Sequence, residues 1–312
     1  MIVLEPAVIL LRLAQYAGAA ALFGSAAFFL YALPAQGATT AGRLPWSRQL
    51  LVSSAALVLV ASLLGLLAQT SVLAGSVAEG LTFEALSAVL TSMALGPFSL
   101  IRAGVAALAL LGAATVRSIR GVFTLCVVLG AVALSSFAWM GHGAATRGSS
   151  GWFHLGADIL HALAAGIWMG ALIAFYGLTL SPNGNSATDA ALHVALRGFS
   201  RLGSLLVAVL IATGLVNSWF LVGPAHLSGL WTTPYGQLLS LKLLLFVGML
   251  GFAASNRFRL TPALGAALEA RASSLDAKSA LRRSLLLETT LAVGVLALVA
   301  WLGRLEPTSV AA

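Results

Sequence analysis

Eight apolar stretches of roughly twenty residues each dominate this chain: 7–33, 50–69, 97–116, 121–140, 153–178, 199–222, 237–255 and 284–302. No water reaches backbone N–H and C=O groups in hydrocarbon, so a spanning segment must pair them within itself or in a closed barrel. Barrel strands need only about ten residues, whereas about twenty residues of helix cross a core of about 30 Å. The pattern therefore predicts an all-α polytopic membrane bundle with eight transmembrane helices. A ninth stretch, 81–95, is shorter and lies between Gly80 and Gly96-Pro97, so it reads as an interfacial or re-entrant helix. No polar segment is long enough to fold alone, which makes residues 1–312 one integral membrane domain. Composition agrees: 8% of residues are charged, against about 25% in soluble domains.

The net charge of +8 does not point to nucleic acid, because the charges sit in short loops between apolar segments. Alternate loops carry Arg43, Arg48, Arg117, Arg120, Arg197, Arg201, Arg257, Arg259, Arg271, Lys278, Arg282 and Arg283, while the other set carries only Arg147 and Arg304. Basic loops stay cytoplasmic, so both chain ends are expected in the periplasm. Trp139, Trp152, Trp219, Trp231 and Trp301 then form an aromatic belt at the outer interface. The first apolar run lacks a basic flank and exceeds a signal-peptide core, so it reads as a retained helix. The cytoplasmic loop 256–283 mixes both charge signs and is expected to hold a short surface helix.

Ionisable groups inside spanning segments are costly and should face the protein interior. Arg12, Arg102 and Lys242 each lie about five residues from the outer end of their helices. Arg102 and Lys242 are expected to face the bundle near Asp158 or a bound anion. In the fifth span His154, Asp158 and His161 follow at spacings of four and three residues, which places them on one helical face. Trp168 extends that stripe, and Gly166 and Gly170 form a GxxxG pair where a neighbouring helix can approach closely. Asn217 lies near the outer end of the sixth span. Glu288 lies near the inner end of the eighth, where a basic residue is a natural partner. His193 and His226 read as solvated loop residues, and Cys126 as a small core residue.

Imidazole suits copper, zinc, iron and nickel, and thioether sulfur selects copper(I). Met140, His142, His154 and His161 are therefore candidate metal ligands at the outer mouth, with Asp158 behind them. Zinc is disfavoured, because few carboxylates converge and one cysteine cannot make a thiolate cluster. No HExxH motif, Ser-His-Asp arrangement or phosphate-binding GxxxxGK[ST] loop occurs, so hydrolytic enzymes and ATP-driven pumping are not indicated.

Several segments resemble the copper resistance D family of bacterial inner-membrane proteins (CopD and PcoD). Gly141-His142-Gly143-Ala144 resembles the family's GHA segment, with glycine at position 143 where alanine is usual. Asp158 with 160–170, LHALAAGIWMG, resembles its D-x-LHLLAAGLWxGG signature. Phe199-Ser200-Arg201, Thr213-Gly214, Thr233-Pro234-Tyr235-Gly236 with Leu241-Lys242, Asn256-Arg257 with Pro262, and Glu288 resemble further family positions, spread over about 97–303. His193 and His226 match no family motif. The resemblance implies copper handling, with copper moved across the inner membrane towards the cytoplasm beside a periplasmic copper-binding partner. The thioether among the candidate ligands favours Cu(I) over Cu(II), and no enzymatic activity is expected.

Two alternatives stand beside that reading. Three buried cations against one outer-half acid make a poor cation path. They would suit a haem- or quinone-binding redox protein, with haem b propionates on Arg12, Arg102 and Lys242. A non-transporting scaffold that docks a periplasmic copper chaperone is the other.

Overall fold

The computed structural model describes residues 4–32, 45–141, 146, 148–180 and 186–309. Regular structure among them is helical. The first four long helices are joined in sequence with two short ones. They are α1 (Leu4–Tyr31), α2 (Pro45–Ala74), α3 (Val77–Gly80), α4 (Phe83–Ser92), α5 (Leu95–Thr115) and α6 (Ile119–Ser135). The rest are α7 (Ser149–Thr179), α8 (Ser186–Leu221), α9 (Gly229–Thr232), α10 (Pro234–Ser255), α11 (Thr261–Glu269) and α12 (Leu275–Leu302). Eight of the described helices are long and apolar enough to cross a membrane, at the eight stretches expected. Leucines and valines such as Leu64, Leu111, Val128, Leu215 and Leu244 are exposed along them, as lipid-facing positions require. The ten residues of α4 are too few to span; Thr82 caps the helix by accepting from the Ala85 N–H, and it packs on α2 and α5.

α1 is the centre of the bundle and packs against α2, α6, α7 and α12. Its middle, Gly18 to Phe29, is rich in glycine and alanine and buried. α5 closes on α2 and α6, while α8 and α12 pack on α7, and α10 on α12. Two groups of four long helices thus meet along α1 and α7. The seam is made by glycine: a Cβ at Gly170 would collide with the backbone of Gly24 and Ser25, and one at Gly24 with the Gly166 carbonyl. The GxxxG pair expected in the fifth span is therefore where α7 lies against α1.

Loop 256–283 is more helical than expected. Asn256–Leu260 forms a π-helical turn that carries α10 directly into α11, with Pro262 in the first turn of α11. Proline lacks an N–H and its ring crowds the preceding turn, and the wider π turn just before it accommodates both. Residues 275–283 are already α12, whose start is anchored to α8. Lys278 Nζ lies 2.8 Å from Asp189 Oδ1 with both side chains buried, and Ser274 Oγ donates to Asp189 Oδ2 at 2.7 Å.

The start of α1 and the end of α12 share one face of the bundle. Arg304 pairs with Glu5 at 2.9 Å, and Arg12 Nη1 donates to the Gly303 carbonyl at 3.0 Å. Trp152, Trp219, Trp231 and Trp301 are exposed towards the same face, at the ends of their helices. We call it the terminal face.

Candidate functional site

The polar face of α7 forms a column of side-chain contacts with α8, α10 and α12. At the terminal end His154 is fully buried, its ring stacked on Phe220 with centroids 4.5 Å apart. His154 Nδ1 lies 2.9 Å from Thr146 Oγ1. One turn on, Asp158 Oδ1 accepts from Asn217 Nδ2 at 2.6 Å. Asp158 also interacts electrostatically with Lys242 and with Tyr235 at the start of α10. Asp158 thus joins α7, α8 and α10, and it is the countercharge of Lys242.

His161 comes next. Its Nδ1 lies 2.9 Å from Thr213 Oγ1. The Thr213 hydroxyl donates to the Val209 carbonyl at 2.6 Å, so its proton is already used. With the hydroxyl proton on Val209, the oxygen accepts, and a neutral His161 then carries its proton on Nδ1. That tautomer leaves the Nε2 lone pair as the ring's acceptor, the form a metal-binding imidazole needs. Thr213 was not singled out as a site residue by the sequence reading; the Thr-Gly pair at 213–214 was its only signal.

Further from the terminal face, Trp168 Nε1 donates to Glu288 Oε1 at 2.9 Å, and Asn256 Nδ2 donates to Glu288 Oε2 at 2.8 Å. Glu288 is 1% exposed. The expected basic partner is not what holds this carboxyl; an indole and an amide do. The amide belongs to the π turn, whose wider backbone helps present Asn256 to α12. From His154 to Trp168 the column runs about 21 Å along α7, some two-thirds of a hydrocarbon core of about 30 Å.

Other expected site residues lie elsewhere. Arg102 is buried, as expected, but not near Asp158. It donates to Ser136 Oγ at 3.0 Å, Ser99 Oγ at 3.3 Å and Met140 Sδ at 3.2 Å, and stacks over the Phe137 ring. Met140 therefore faces α5, away from the α7 column. His154 and His161 are about two turns apart, held on different threonines, and occupy separate positions rather than forming one ligand pair. His142 lies outside the described residues. Among the described residues no group of three or more His, Cys, Asp or Glu side chains is placed to hold a metal. Arg12 reaches the Gly303 carbonyl and the Tyr16 hydroxyl, the latter at 3.4 Å. His193 is not a plain surface residue: its ring packs against Gly265, in a cleft of about 500 Å³ that also holds Arg197, Arg257 and Glu269.

Comparison with known proteins decides the family. Copper resistance protein D of Pseudomonas syringae pv. tomato is 37% identical over 310 residues, covering 97% of this chain and 97% of that protein. The chain belongs to the copper resistance protein D family. The family profile "Copper resistance protein D" matches residues 193–302. "Copper resistance protein D-like, N-terminal domain" matches residues 3–152. These two regions correspond to α8–α12 and α1–α6, with most of α7 between them. Inner membrane protein YebZ of Escherichia coli (strain K12) is 31% identical over 126 residues, covering 40% of this chain and 41% of that protein. No solved structure matches this chain. Membership of the family and the eight apolar helices make this a multi-pass membrane protein.

Proposed function

We propose that this protein carries copper, as Cu(I), across the bacterial inner membrane from the periplasm towards the cytoplasm. The supporting observation is the α7 column, and within it the contact of His161 Nδ1 with Thr213 Oγ1 at 2.9 Å. Thr213 holds Nδ1 in the donor role, so Nε2 is presented as a neutral nitrogen ligand inside the bundle. A neutral imidazole adds no positive charge to the path of a cation. Asp158 offsets Lys242 at the same level, which relieves the repulsion that the three cations within the spanning segments would otherwise exert. Arg12 and Arg102 lie against α1, α5 and α6, off the column.

In this reading the terminal face is periplasmic, as the loop charges predict. His142, which precedes α7 in the chain, supplies a second ligand together with His161, and a periplasmic copper-binding protein delivers the ion there. Glu288 with Trp168 and Asn256 forms the polar stage nearest the cytoplasm. The relatives' names, copper resistance for one and inner membrane for the other, support the cargo and the location. No catalytic activity is part of the proposal.

The test is copper stoichiometry of the purified protein together with copper uptake by membrane vesicles. His161→Ala is expected to abolish both, and His193→Ala neither. Unchanged copper binding in His161→Ala would remove the basis of the proposal. An optical spectrum of the same sample checks the cargo, since bound haem gives a Soret band and Cu(I) does not.

A further inference from the structure

Arg102 and Arg12 raise a question of charge that the copper column does not answer. Both line one small cavity between α1, α2, α5 and α6, together with Gln15, Gln69, Ser99 and Met140. Arginine stays protonated in proteins, and a buried cation is strongly unfavourable unless it is offset. Arg102 is 1% exposed. Each of its partners is neutral: two serine hydroxyls, a thioether and a phenyl ring. Its Nε has no hydrogen-bond partner among the described residues. Arg12 is held by a carbonyl and a phenol, also neutral.

The acids of this chain can be counted out. It has nine, all at described positions. Glu5 is paired with Arg304, Asp189 with Lys278, and Asp158 and Glu288 belong to the α7 column. Glu79, Glu84 and Glu306 are exposed. Glu269 lies in the cleft beside His193, and Asp276 in the first turn of α12, both at the other face. None lines the cavity between the two guanidinium groups.

We infer that this cavity is a binding site for one monatomic anion, a halide such as chloride. The charge requirement comes from two arginines on different helices. The size limit comes from the cavity, about 10 Å³, which is room for one sphere about the size of a water. Phosphate, sulfate and organic carboxylates are too large. Chloride is larger than a water, and displacement of the flexible ends of Arg12 and Gln69 makes room for it. A water would fit but would leave both charges in place. The ion would sit where α1, α2, α5 and α6 converge near the terminal face, and would tie the N-terminal group of helices together independently of copper.

The experiment is thermal unfolding of the purified full-length protein in detergent, in sodium chloride, sodium bromide, sodium sulfate and sodium gluconate at equal ionic strength. Chloride and bromide are expected to raise the melting temperature saturably, and sulfate and gluconate are not. Arg102→Met is expected to remove the halide response, and Arg12→Gln to weaken it should the first variant fail to fold. Gln69→Glu places a carboxylate beside both guanidinium groups; it is expected to melt in gluconate where the wild type melts in chloride, with no halide response. Equal melting of the wild type in chloride and gluconate would mean that the cavity holds water only and would overturn the proposal. A halide response retained by both Arg102→Met and Arg12→Gln would overturn it as well. Neither result bears on copper binding at His161.

Discussion

Replacing Gly170 by alanine adds one methyl group, and the structure indicates where it goes. The new Cβ would overlap the carbonyl carbon of Gly24 and the amide nitrogen of Ser25 on α1. Both are backbone atoms, so no side-chain rotation relieves the overlap. The two helices must part by about 1 to 2 Å to restore ordinary contact distances. A gap of even 0.5–1 Å forfeits roughly a quarter to a half of each dispersion contact along the seam. Overpacking of this kind costs about 1–3 kcal/mol, and rigid backbone on both sides puts Gly170→Ala at the upper end. The reference is Gly104→Ala on α5, where a Cβ meets nothing within 4 Å. There the better helix propensity of alanine contributes about 1 kcal/mol of stabilisation. The two variants are thus expected to differ by about 3–4 kcal/mol. At about 2.1 cal/mol/K of unfolding entropy per residue, that corresponds to roughly 5–6 °C in melting temperature for a chain of 312 residues. Trp168 lies between Gly166 and Gly170 on α7, so displacement of the seam should also lower copper uptake. Thermal unfolding of both proteins in the same detergent is the assay. Gly170→Ala melting at or above Gly104→Ala would refute the argument that glycine backbone contact sets the seam.

Asp189→Ala leaves the Lys278 ammonium buried and unpaired and is expected to cost about 3–5 kcal/mol; the Asp189→Ala, Lys278→Ala double variant should lose less than the sum of the two singles in thermal unfolding. Trp168→Phe keeps an aromatic ring against Phe246 but removes the donor to Glu288; a loss of about 1–3 kcal/mol should accompany slower copper uptake in vesicles. A reporter fused after Ala312 should be active as a periplasmic enzyme, and cytoplasmic activity would reverse the proposed direction. Thr213→Val, nearly isosteric, frees the His161 tautomer; copper affinity should fall by about 10–100-fold, as for other groups that orient a metal-binding histidine, with the melting temperature little changed.

The fold was legible in the sequence because hydrocarbon admits so few backbone solutions. Eight apolar stretches give eight helices, and small residues at Gly166 and Gly170 mark a close contact. The stripe from His154 to Trp168 was equally legible, since helical periodicity alone aligns it. What faces the stripe was not. Asn217, Thr213 and Glu288 come from helices remote in sequence, and no local pattern says which helix lies beside α7. Loop 256–283 holds the expected short helix, α11, but the burial of Lys278 was not legible for a related reason: the mixed charges look solvated, yet Asp189, 89 residues earlier, reaches it. Arg102 was rightly expected to be buried. Its neighbours depended on the segment just after α6 delivering Ser136 and Met140 to it rather than α7 delivering Asp158.

The contact between Arg12 and Gly303 has a consequence for how the protein is made. Its two partners are 291 residues apart, and α1 leaves the ribosome well before α12. At synthesis rates of about 5–20 residues per second, α1 waits roughly 15–60 s for α12. Until then the Arg12 guanidinium lacks its carbonyl partner, and the α12-facing side of the central helix is uncovered. Arrival of α12 is therefore a slow, long-range closure step, and a nascent chain stalled before Leu302 would present that side of α1 to lipid or to the insertion machinery.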